Sequence, residues 1–394
     1  MSGRGCTVRA LLGSVALLLM SAGCQAGVAV SETAGSTAVA PRADAMAKAV
    51  VRITPTAGDK PVRLDERVAV TAKGGLLTDV VVTRGKHRVP GEFDPERSSW
   101  TADGGLAPDS TYQVRAEAVN AEGARSAATE TFRTMDPAQE LGAEITPDGG
   151  ETVGIGMPVV VTFDEPVTDK AAVEKRLEVR TSERIEGGWH WFTDTEVHYR
   201  PKEYWPAHTD VEVRVNTRGV HAGDGVWGVR NSSAEFRIGR SVVTEVDLNK
   251  HQAKSYVNGK LKMTAPVTGG KPGWETRNGT KLIIGKELYK RFTNDMIGAP
   301  EQYDLLSPYA LRITHSGEFI HTANWSLGSH GVANVSHGCV GMNTENSKWL
   351  YENTQYGDPV EMITNGPEME PYGNGFGDWN LSWKEWTAGS ALAQ

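Results

Sequence analysis

The sequence is poor in cysteine, in clustered basic residues and in long apolar runs. Lys and Arg number 41 against 49 Asp and Glu, for a formal net charge of -8, and the basic residues are scattered. Such a distribution disfavours the phosphate backbone of a nucleic acid as a partner. After the first 24 residues no apolar run approaches the about 20 residues of a transmembrane helix. With 44 Gly and 19 Pro, the composition favours a mainly β protein with many turns.

The amino terminus has the order of an export signal. Two arginines precede the apolar stretch 10–20, and small residues then lead to Cys24. The run 21–24 also resembles a bacterial lipoprotein signal, in which the cysteine becomes the lipid-bearing first residue. The sequence therefore predicts a signal peptide over 1–23, a membrane anchor through lipid on Cys24, and a location at the extracytoplasmic face of the cell membrane.

The three cysteines become informative once the signal is removed. Cys6 leaves with the signal and Cys24 is blocked by lipid, so Cys339 is the only free thiol of the mature chain. This excludes a disulfide within the mature chain. A lone thiol in an exported protein is either a small buried hydrophobe or a nucleophile, and its neighbours must decide between the two.

The chain after the signal begins with a tether and two strand-rich domains. Residues 24–47 are rich in small residues and have no aromatic residue, so they are predicted to form a flexible tether. Residues 48–138 and 139–240 contain short alternating runs between turn residues, which predict two immunoglobulin-like β-sandwiches. One or two helical turns are expected over 169–176.

Aromatic residues and histidines are frequent in the second predicted sandwich. Trp189 and Trp191 alternate as the inward residues of one strand would. No acidic or thiol residue stands at a recognisable ligand spacing from the histidines of this region, so the sequence predicts no metal site.

A further β-rich domain with little helix is predicted over 241–365. An Asn-Gly pair at 258–259 separates two strand-like runs and predicts a hairpin. A helix is expected over 344–353.

The segment 366–394 contains three tryptophans at i, i+4, i+7 spacing. This spacing predicts one amphipathic helix that packs back onto the preceding domain. The three residues are Trp379, Trp383 and Trp386.

The neighbours of Cys339 are those of a nucleophile. Residues 334–340 read Asn-Val-Ser-His-Gly-Cys-Val, and His321 lies 18 residues before the thiol. An imidazole within hydrogen-bond reach accepts the thiol proton or holds its charge as imidazolium. Gly338 lets the backbone approach a substrate carbonyl and turn its amides toward a developing oxyanion.

Taken together, these residues resemble the L,D-transpeptidase catalytic domain of the YkuD type, whose signature is a histidine, a spacer and Ser/Thr-His-Gly-Cys. The chain has Ser-Gly-Glu-Phe-Ile-His at 316–321 and Asn-Val-Ser-His-Gly-Cys at 334–339. The resemblance covers about residues 242–394. The two sandwiches behind a lipoprotein signal are similar to the arrangement of actinobacterial, mycobacterial-type members. Gly341 is a departure, because many relatives have Asn or Arg there.

The resemblance implies a role for each matching residue. Cys339 is expected to be the nucleophile and His321 its base, with the backbone carbonyl of Thr322 orienting the imidazole. Backbone N–H groups of His337 and Gly338, with that of the cysteine, are expected to form an oxyanion pocket. The residues implied to contact the substrate peptide are Tyr303, Ser316, Gly317, Trp325, Asn334 and Ser336.

The function implied by the resemblance is acyl transfer between peptidoglycan stem peptides, without a metal or cofactor. In this family the thiolate attacks the third residue of a tetrapeptide stem, releases D-alanine and passes the acyl group to a second stem, giving a 3→3 cross-link. Acylation by carbapenem-class β-lactams is also implied. A flap between residues 293 and 306 is expected to shelter the thioester from water. Two alternatives stay open: a lipid-anchored cell-wall-binding protein, and an L,D-carboxypeptidase that hydrolyses the same bond.

Overall fold

The computed structural model describes residues 48–58 and 60–393, so the predicted signal, the tether and Cys24 lie outside the described residues. Two β-sandwiches are followed by a third β-rich unit and a short carboxy-terminal helical segment. The predicted mainly β fold class is therefore confirmed. Across these described ranges, no helix is both long and apolar enough to cross a membrane.

The first sandwich consists of two four-stranded sheets that share one core. Its strands are β1 (Val50–Thr54), β2 (Ala69–Lys73), β3 (Leu76–Arg84), β4 (His87–Val89), β5 (Gly91–Phe93), β6 (Ser99–Ala102), β7 (Thr111–Val119) and β8 (Arg125–Arg133). The sheet orders are β1-β2-β6-β5 and β4-β3-β7-β8. Every second residue of β7, from Tyr112 to Ala118, is buried, as expected for a strand with one face on the core.

The second sandwich has the same two-layer architecture and an additional small sheet. Its elements are β9 (Gln139–Leu141), β10 (Ala143–Thr146), β11 (Thr152–Val153), β12 (Val159–Phe163), α1 (Lys170–Glu174), β13 (Leu177–Thr181), β14 (Gly187–Trp191), β15 (Glu196–Pro201), β16 (Asp210–Val215), β17 (His221–Gly223), β18 (Val226–Gly228) and β19 (Ser232–Ile238). The sheet orders are β10-β12-β15-β14, β11-β19-β16-β13 and β17-β18-β9. Trp189 and Trp191 are buried on β14, which confirms them as inward strand residues.

The third unit contains the predicted nucleophile and consists of two sheets and an α-helix. Its elements are β20 (Val242–Asp247), β21 (Gln252–Val257), β22 (Lys260–Pro266), β23 (Gly279–Leu282), β24 (Gly285–Thr293), β25 (Asp304–Arg312), β26 (Phe319–Thr322), β27 (Val340–Met342), α2 (Thr344–Asn353) and β28 (Pro359–Ile363). The sheet orders are β22-β21-β20-β28-β23 and β24-β25-β26-β27. The predicted hairpin joins β21 to β22, and α2 has the predicted bounds. Its first turn is capped by Asn343 Oδ1, which accepts the Asn346 N–H at 2.9 Å.

The carboxy-terminal tryptophans do not share one helix, so that prediction is wrong. Trp379 lies in a separate 3-10 segment, Asp378–Asn380, and α3 (Trp383–Ala388) begins only after Ser382. The reason is local, because Ser382 and Glu385 form a capping box that starts a new helix.

These tryptophans pack mainly against the second sandwich, whereas the sequence predicted packing on the preceding unit. The indole N–H of Trp386 donates to Gly188 O at 2.8 Å, and that of Trp379 donates to Gly156 O at 2.7 Å. The Arg200 guanidinium of β15 lies 4.6 Å from the centres of both rings, a favourable cation–π geometry. Asn380 makes two hydrogen bonds with the Thr280 backbone, so the segment also contacts the third unit.

Candidate active site

A cavity of about 370 Å³ opens on the β24-β25-β26-β27 sheet. Its lining includes most of the side chains that the sequence singled out. Those present are Tyr303, Ser316, Gly317, His321, Trp325, Ser336, His337 and Cys339.

Strand register brings His321 and Cys339 to the same side of the sheet. β26 and β27 are parallel, with Ile320 opposite Val340 and His321 opposite Gly341. Because side chains alternate along a strand, His321 and Cys339 lie diagonally across neighbouring strands on one face. The 18-residue spacing in the sequence is thereby converted into proximity at the cavity.

The His321 imidazole is held in one orientation. Its Nδ1 lies 2.8 Å from Thr322 O and 3.2 Å from Ser307 Oγ, and the Ser307 hydroxyl donates to Thr322 O at 2.7 Å. An Nδ1–H that donates to these oxygens leaves Nε2 as the acceptor nitrogen. Ser307 is buried on β25 and was not found from the sequence, because its distance along the chain from the signature gives no indication of contact.

Burial sets the charge of this histidine. His321 is only 6% exposed, with the rings of Phe292 and Trp325 at 4.5 and 5.7 Å from its own. Burial lowers the pKa of His321 to about 4, since a charged imidazolium is poorly solvated there. The imidazole is therefore neutral near pH 7 and is able to accept a proton.

The Cys339 thiol is in its resting, protonated state. Burial raises its pKa to about 12, and Sγ donates to Gly317 O at 3.6 Å. Within the described part of the chain no hydrogen bond joins Sγ to His321. Proton transfer to the imidazole therefore requires the thiol to leave Gly317 O, and unliganded sites often show such loosely aligned catalytic pairs.

The turn over residues 336–338, the nucleophile turn, directly precedes Cys339 and is fixed by three hydrogen bonds. Gly338 adopts a φ of 112°, which disfavours residues with a side chain. Its N–H donates to Ser336 Oγ at 3.2 Å, Ser336 Oγ donates to Cys339 O at 2.6 Å, and Thr276 Oγ1 donates to Gly338 O at 2.8 Å. The Gly338 N–H, which was expected to face an oxyanion, is thus bonded to Ser336 in this structure.

The His337 side chain joins the nucleophile turn to the loop between β24 and β25. Its Nε2 lies 3.0 Å from Glu301 Oε2, and its ring stacks on that of Tyr303 at 5.5 Å. Glu301 also accepts a hydrogen bond from Lys271, which with the His337 contact lowers the pKa of Glu301 to about 2. The loop that was expected to act as a flap, with Met296, Ile297 and Tyr303 on the cavity wall, is held to the turn by the hydrogen bond between His337 and Glu301.

Asn334 does not line the cavity, contrary to the prediction. Its Oδ1 accepts the Gly269 N–H at 2.8 Å and lies 3.0 Å from His251 Nδ1, while Nδ2 donates to Leu248 O at 3.1 Å. The amide is occupied in holding two loops together, so it is not available to a peptide.

Position 341 has room for glycine alone. A Cβ there would lie 2.8 Å from both Ala323 Cβ and Thr268 Cγ2, which is closer than side-chain carbons pack. Many members of the family that the sequence resembles have a side chain at this position. Here the methyl groups of Ala323 and Thr268 fill that space.

A buried ion pair that the sequence did not predict lies next to the loops 316–318 and 336–338, which both line the cavity at Cys339. Lys281 is fully buried and Glu318 is 5% exposed, with Nζ 2.5 Å from Oε2. Glu318 Oε1 also accepts the backbone N–H of Arg277 at 3.0 Å. The Glu318 Cγ lies 3.8 Å from the position that a Cβ of Gly338 would take. Glu318 therefore ties loop 316–318 to Lys281 on β23 and to Arg277, with its side chain beside Gly338.

The chemistry available at this site is that of a thiol and a neutral imidazole on the wall of one cavity. Over residues 48–58 and 60–393, no group of three or more His, Cys, Asp or Glu side chains is placed to hold a metal ion. A cysteine beside an oriented imidazole is suited to covalent acyl transfer.

Comparison with known proteins agrees with this chemistry. The L,D-transpeptidase catalytic domain family matches residues 241–362, and the bacterial Ig domain family matches residues 59–221. L,D-transpeptidase 2 of Mycobacterium tuberculosis is 35% identical over 345 residues, which cover 86% of this chain and 84% of that protein. L,D-transpeptidase 5 of the same species is 33% identical over 334 residues, covering 83% and 71%. The structure of LD transpeptidase LdtMt1 in complex with imipenem superposes with a TM-score of 0.50 at 33% identity, covering 58% of this chain and 100% of that one. The chain belongs to the L,D-transpeptidase family.

Proposed function

We propose that this protein forms 3→3 cross-links between peptidoglycan stem peptides through a thioacyl-enzyme on Cys339, with release of D-alanine. The single observation that supports this most directly is the position of His321 and Cys339 on one face of β26 and β27, inside a cavity. Family membership supports the same reaction class.

Acylation begins when the Cys339 proton passes to Nε2 of His321. The thiolate then attacks the carbonyl carbon of the third stem residue, and His321 returns the proton to the nitrogen of the departing D-alanine. The bond between that carbonyl and D-alanine breaks and a thioester forms. The thiol pKa of about 12 and the imidazole pKa of about 4 disfavour a resting ion pair, so the proton moves as the substrate binds.

Deacylation repeats these steps with an amine as the nucleophile. The side-chain amine of a second stem's third residue loses a proton to His321 and attacks the thioester. The new amide forms, and the sulfur leaves and takes back the proton. Loop 294–303 contributes Met296, Ile297 and Tyr303 to the cavity wall, and their apolar surface would shelter the thioester from water and so favour cross-linking over hydrolysis.

We also propose that carbapenem-class β-lactams acylate Cys339. The strained lactam carbonyl is an acyl centre like that of the stem peptide. The solved relatives support this, since one is in complex with imipenem and another is described with a faropenem-derived adduct.

Products made from a disaccharide tetrapeptide test the proposed function. The purified mature chain should give a dimer with loss of D-alanine, measured by mass spectrometry. Tripeptide in place of dimer would instead identify a carboxypeptidase, and no product would favour a wall-binding protein. Cys339→Ala and His321→Gln should abolish the dimer, whereas the control His221→Gln on β17 of the second sandwich should leave it unchanged.

The location of the protein is proposed from the sequence alone, because Cys24 lies outside the described residues. A lipid on Cys24 would place the site in the wall space above the cell membrane. Radiolabelled fatty acid should be incorporated into the wild-type protein and not into Cys24→Ala. Equal incorporation into both would refute the anchor.

A further inference from the structure

The cavity wall has positive groups and no carboxylate. Among the described residues that line it, Lys290 and Arg312 are cationic, three others are histidines, and none is Asp or Glu. A cavity whose charged groups have one sign concentrates ligands of the opposite sign. The occupant that fits this wall is an anion.

Strand register places Arg312 in line with the nucleophile. Arg312 pairs with Phe319 across the antiparallel β25 and β26. Cys339 immediately precedes β27, and extending the Ile320–Val340 register by one residue sets it beside Phe319. Arg312, Phe319 and Cys339 therefore form one row whose side chains point to the cavity. Since neighbouring strands are about 4.8 Å apart, the arginine backbone lies two strand spacings from the thiol backbone, and both residues line the same cavity.

Arg312 is both fixed and uncompensated. Its Nε donates to Thr314 O at 3.0 Å and its Nη2 to His315 O at 2.8 Å, and its guanidinium carbon lies 5.5 Å from the centre of the Phe319 ring. Within the described ranges no Asp or Glu pairs with it and Nη1 has no hydrogen-bond partner. Lys290 differs, because Glu287 lies 3.0 Å from its Nζ.

We propose that Arg312 binds a carboxylate of the donor peptide next to the scissile bond, so that the reaction selects anionic donors. The proposal rests on the proposed function for the identity of the donor. A guanidinium held by two carbonyls needs little further ordering to bind a carboxylate. Two carboxylates are close enough to the scissile carbonyl: that of the terminal D-alanine, and that of the third residue where its side chain has one.

A pair of thiol reagents tests the charge preference without any cross-linking. Iodoacetate and iodoacetamide alkylate Cys339 by the same displacement of iodide and differ in one carboxylate. Arg312→Gln should lower the rate for iodoacetate about tenfold or more, as expected for loss of a charged hydrogen bond, and leave iodoacetamide unchanged. Arg312→Lys should retain part of the preference. The control Arg291→Gln on β24, whose partner Asp304 is also exposed, should change neither rate.

Amidated donors then distinguish the two carboxylates. The wild-type enzyme should be acylated more slowly by a tetrapeptide amidated at the carboxylate that Arg312 binds than by the free tetrapeptide, mainly through a higher KM. Arg312→Gln should be acylated at similar rates by the two donors. Equal rates with free, terminally amidated and side-chain-amidated donors would overturn the proposal, as would equal effects of Arg312→Gln on both alkylating reagents. Failure of the proposed function has another signature, since no donor would then form an acyl-enzyme while the alkylation preference could remain.

Discussion

The buried pair of Lys281 and Glu318 provides a quantitative test of how the two loops at the active site are held. Glu318→Gln would leave the Lys281 ammonium, which is 0% exposed, without its carboxylate partner. Removing one member of a buried pair costs about 3–5 kcal/mol, because the remaining charge is uncompensated. Solvent does not screen either group, so we expect a loss of this size in the free energy of unfolding of the third unit.

Neutralising both members separates charge compensation from simple loss of contacts. Lys281→Met combined with Glu318→Gln removes both buried charges, and Arg277, whose Nη1 lies 3.3 Å from Glu318 Oε1, keeps Glu370 as its partner. Replacement of a whole buried pair is often close to neutral. The double variant should therefore recover about 2 kcal/mol or more of what Glu318→Gln alone loses. Burial already lowers the pKa of Lys281 in the native protein. The single variant should consequently gain stability as pH rises toward the ordinary lysine pKa, where the unpaired ammonium loses its proton.

Alkylation of Cys339 in increasing urea measures unfolding of this unit. Cys339 is the free cysteine of the described residues, and peptide mapping by mass separates its adduct from any other. Whole-chain tryptophan fluorescence would mix the transitions of several units. The reasoning is refuted if the double variant unfolds at the same urea concentration as Glu318→Gln, or if Glu318→Gln unfolds like the wild type.

Three further predictions concern titration and packing. Carbapenem acylation should fall as pH drops through about 4, where His321 becomes charged, and a rate that is flat down to pH 3 would contradict its role as base. Burial opposes the charged form of His198, but Asp378 and Glu196 raise its pKa to about 9. The stabilisation that charged His198 gives should therefore be complete below about pH 6.5, the ordinary histidine pKa. It should be lost as the pH rises through about 9. Thermal unfolding of Asp378→Asn should show a weaker dependence, because Glu196 Oε1 still lies 2.8 Å from His198 Nε2, and an unchanged pH profile would contradict the assignment. Gly341→Asn should reduce both acylation and stability, the latter by about 1–3 kcal/mol for overpacking, and wild-type values for both would show that Thr268 and Ala323 yield easily.

Sequence patterns within a single strand, turn or helix were sufficient to predict that element. Alternation predicted β7 and β14, Asn258–Gly259 predicted a hairpin, and the helix over 344–353 formed with the expected bounds. The motif around Cys339 also indicated the family, because an upstream histidine followed by Ser-His-Gly-Cys is the signature of that family. The helix predicted through Trp379 failed because spacing alone did not reveal the capping box at Ser382.

The sequence by itself determined the mainly β fold class and identified Cys339 and His321 as the candidate nucleophile and base, since these depend on residue types and short spacings along the chain. Tertiary structure alone decided the surroundings of those two groups: Ser307 behind His321, Glu318 and Lys281 behind Gly338, Arg312 in line with Cys339, and Asn334 turned away from the cavity. Each depends on strand register or on burial, which are set by packing between segments far apart in the chain. The charge states of Cys339 and His321 follow from the same burial, because solvation of a charge is a property of the folded surroundings and not of the residue.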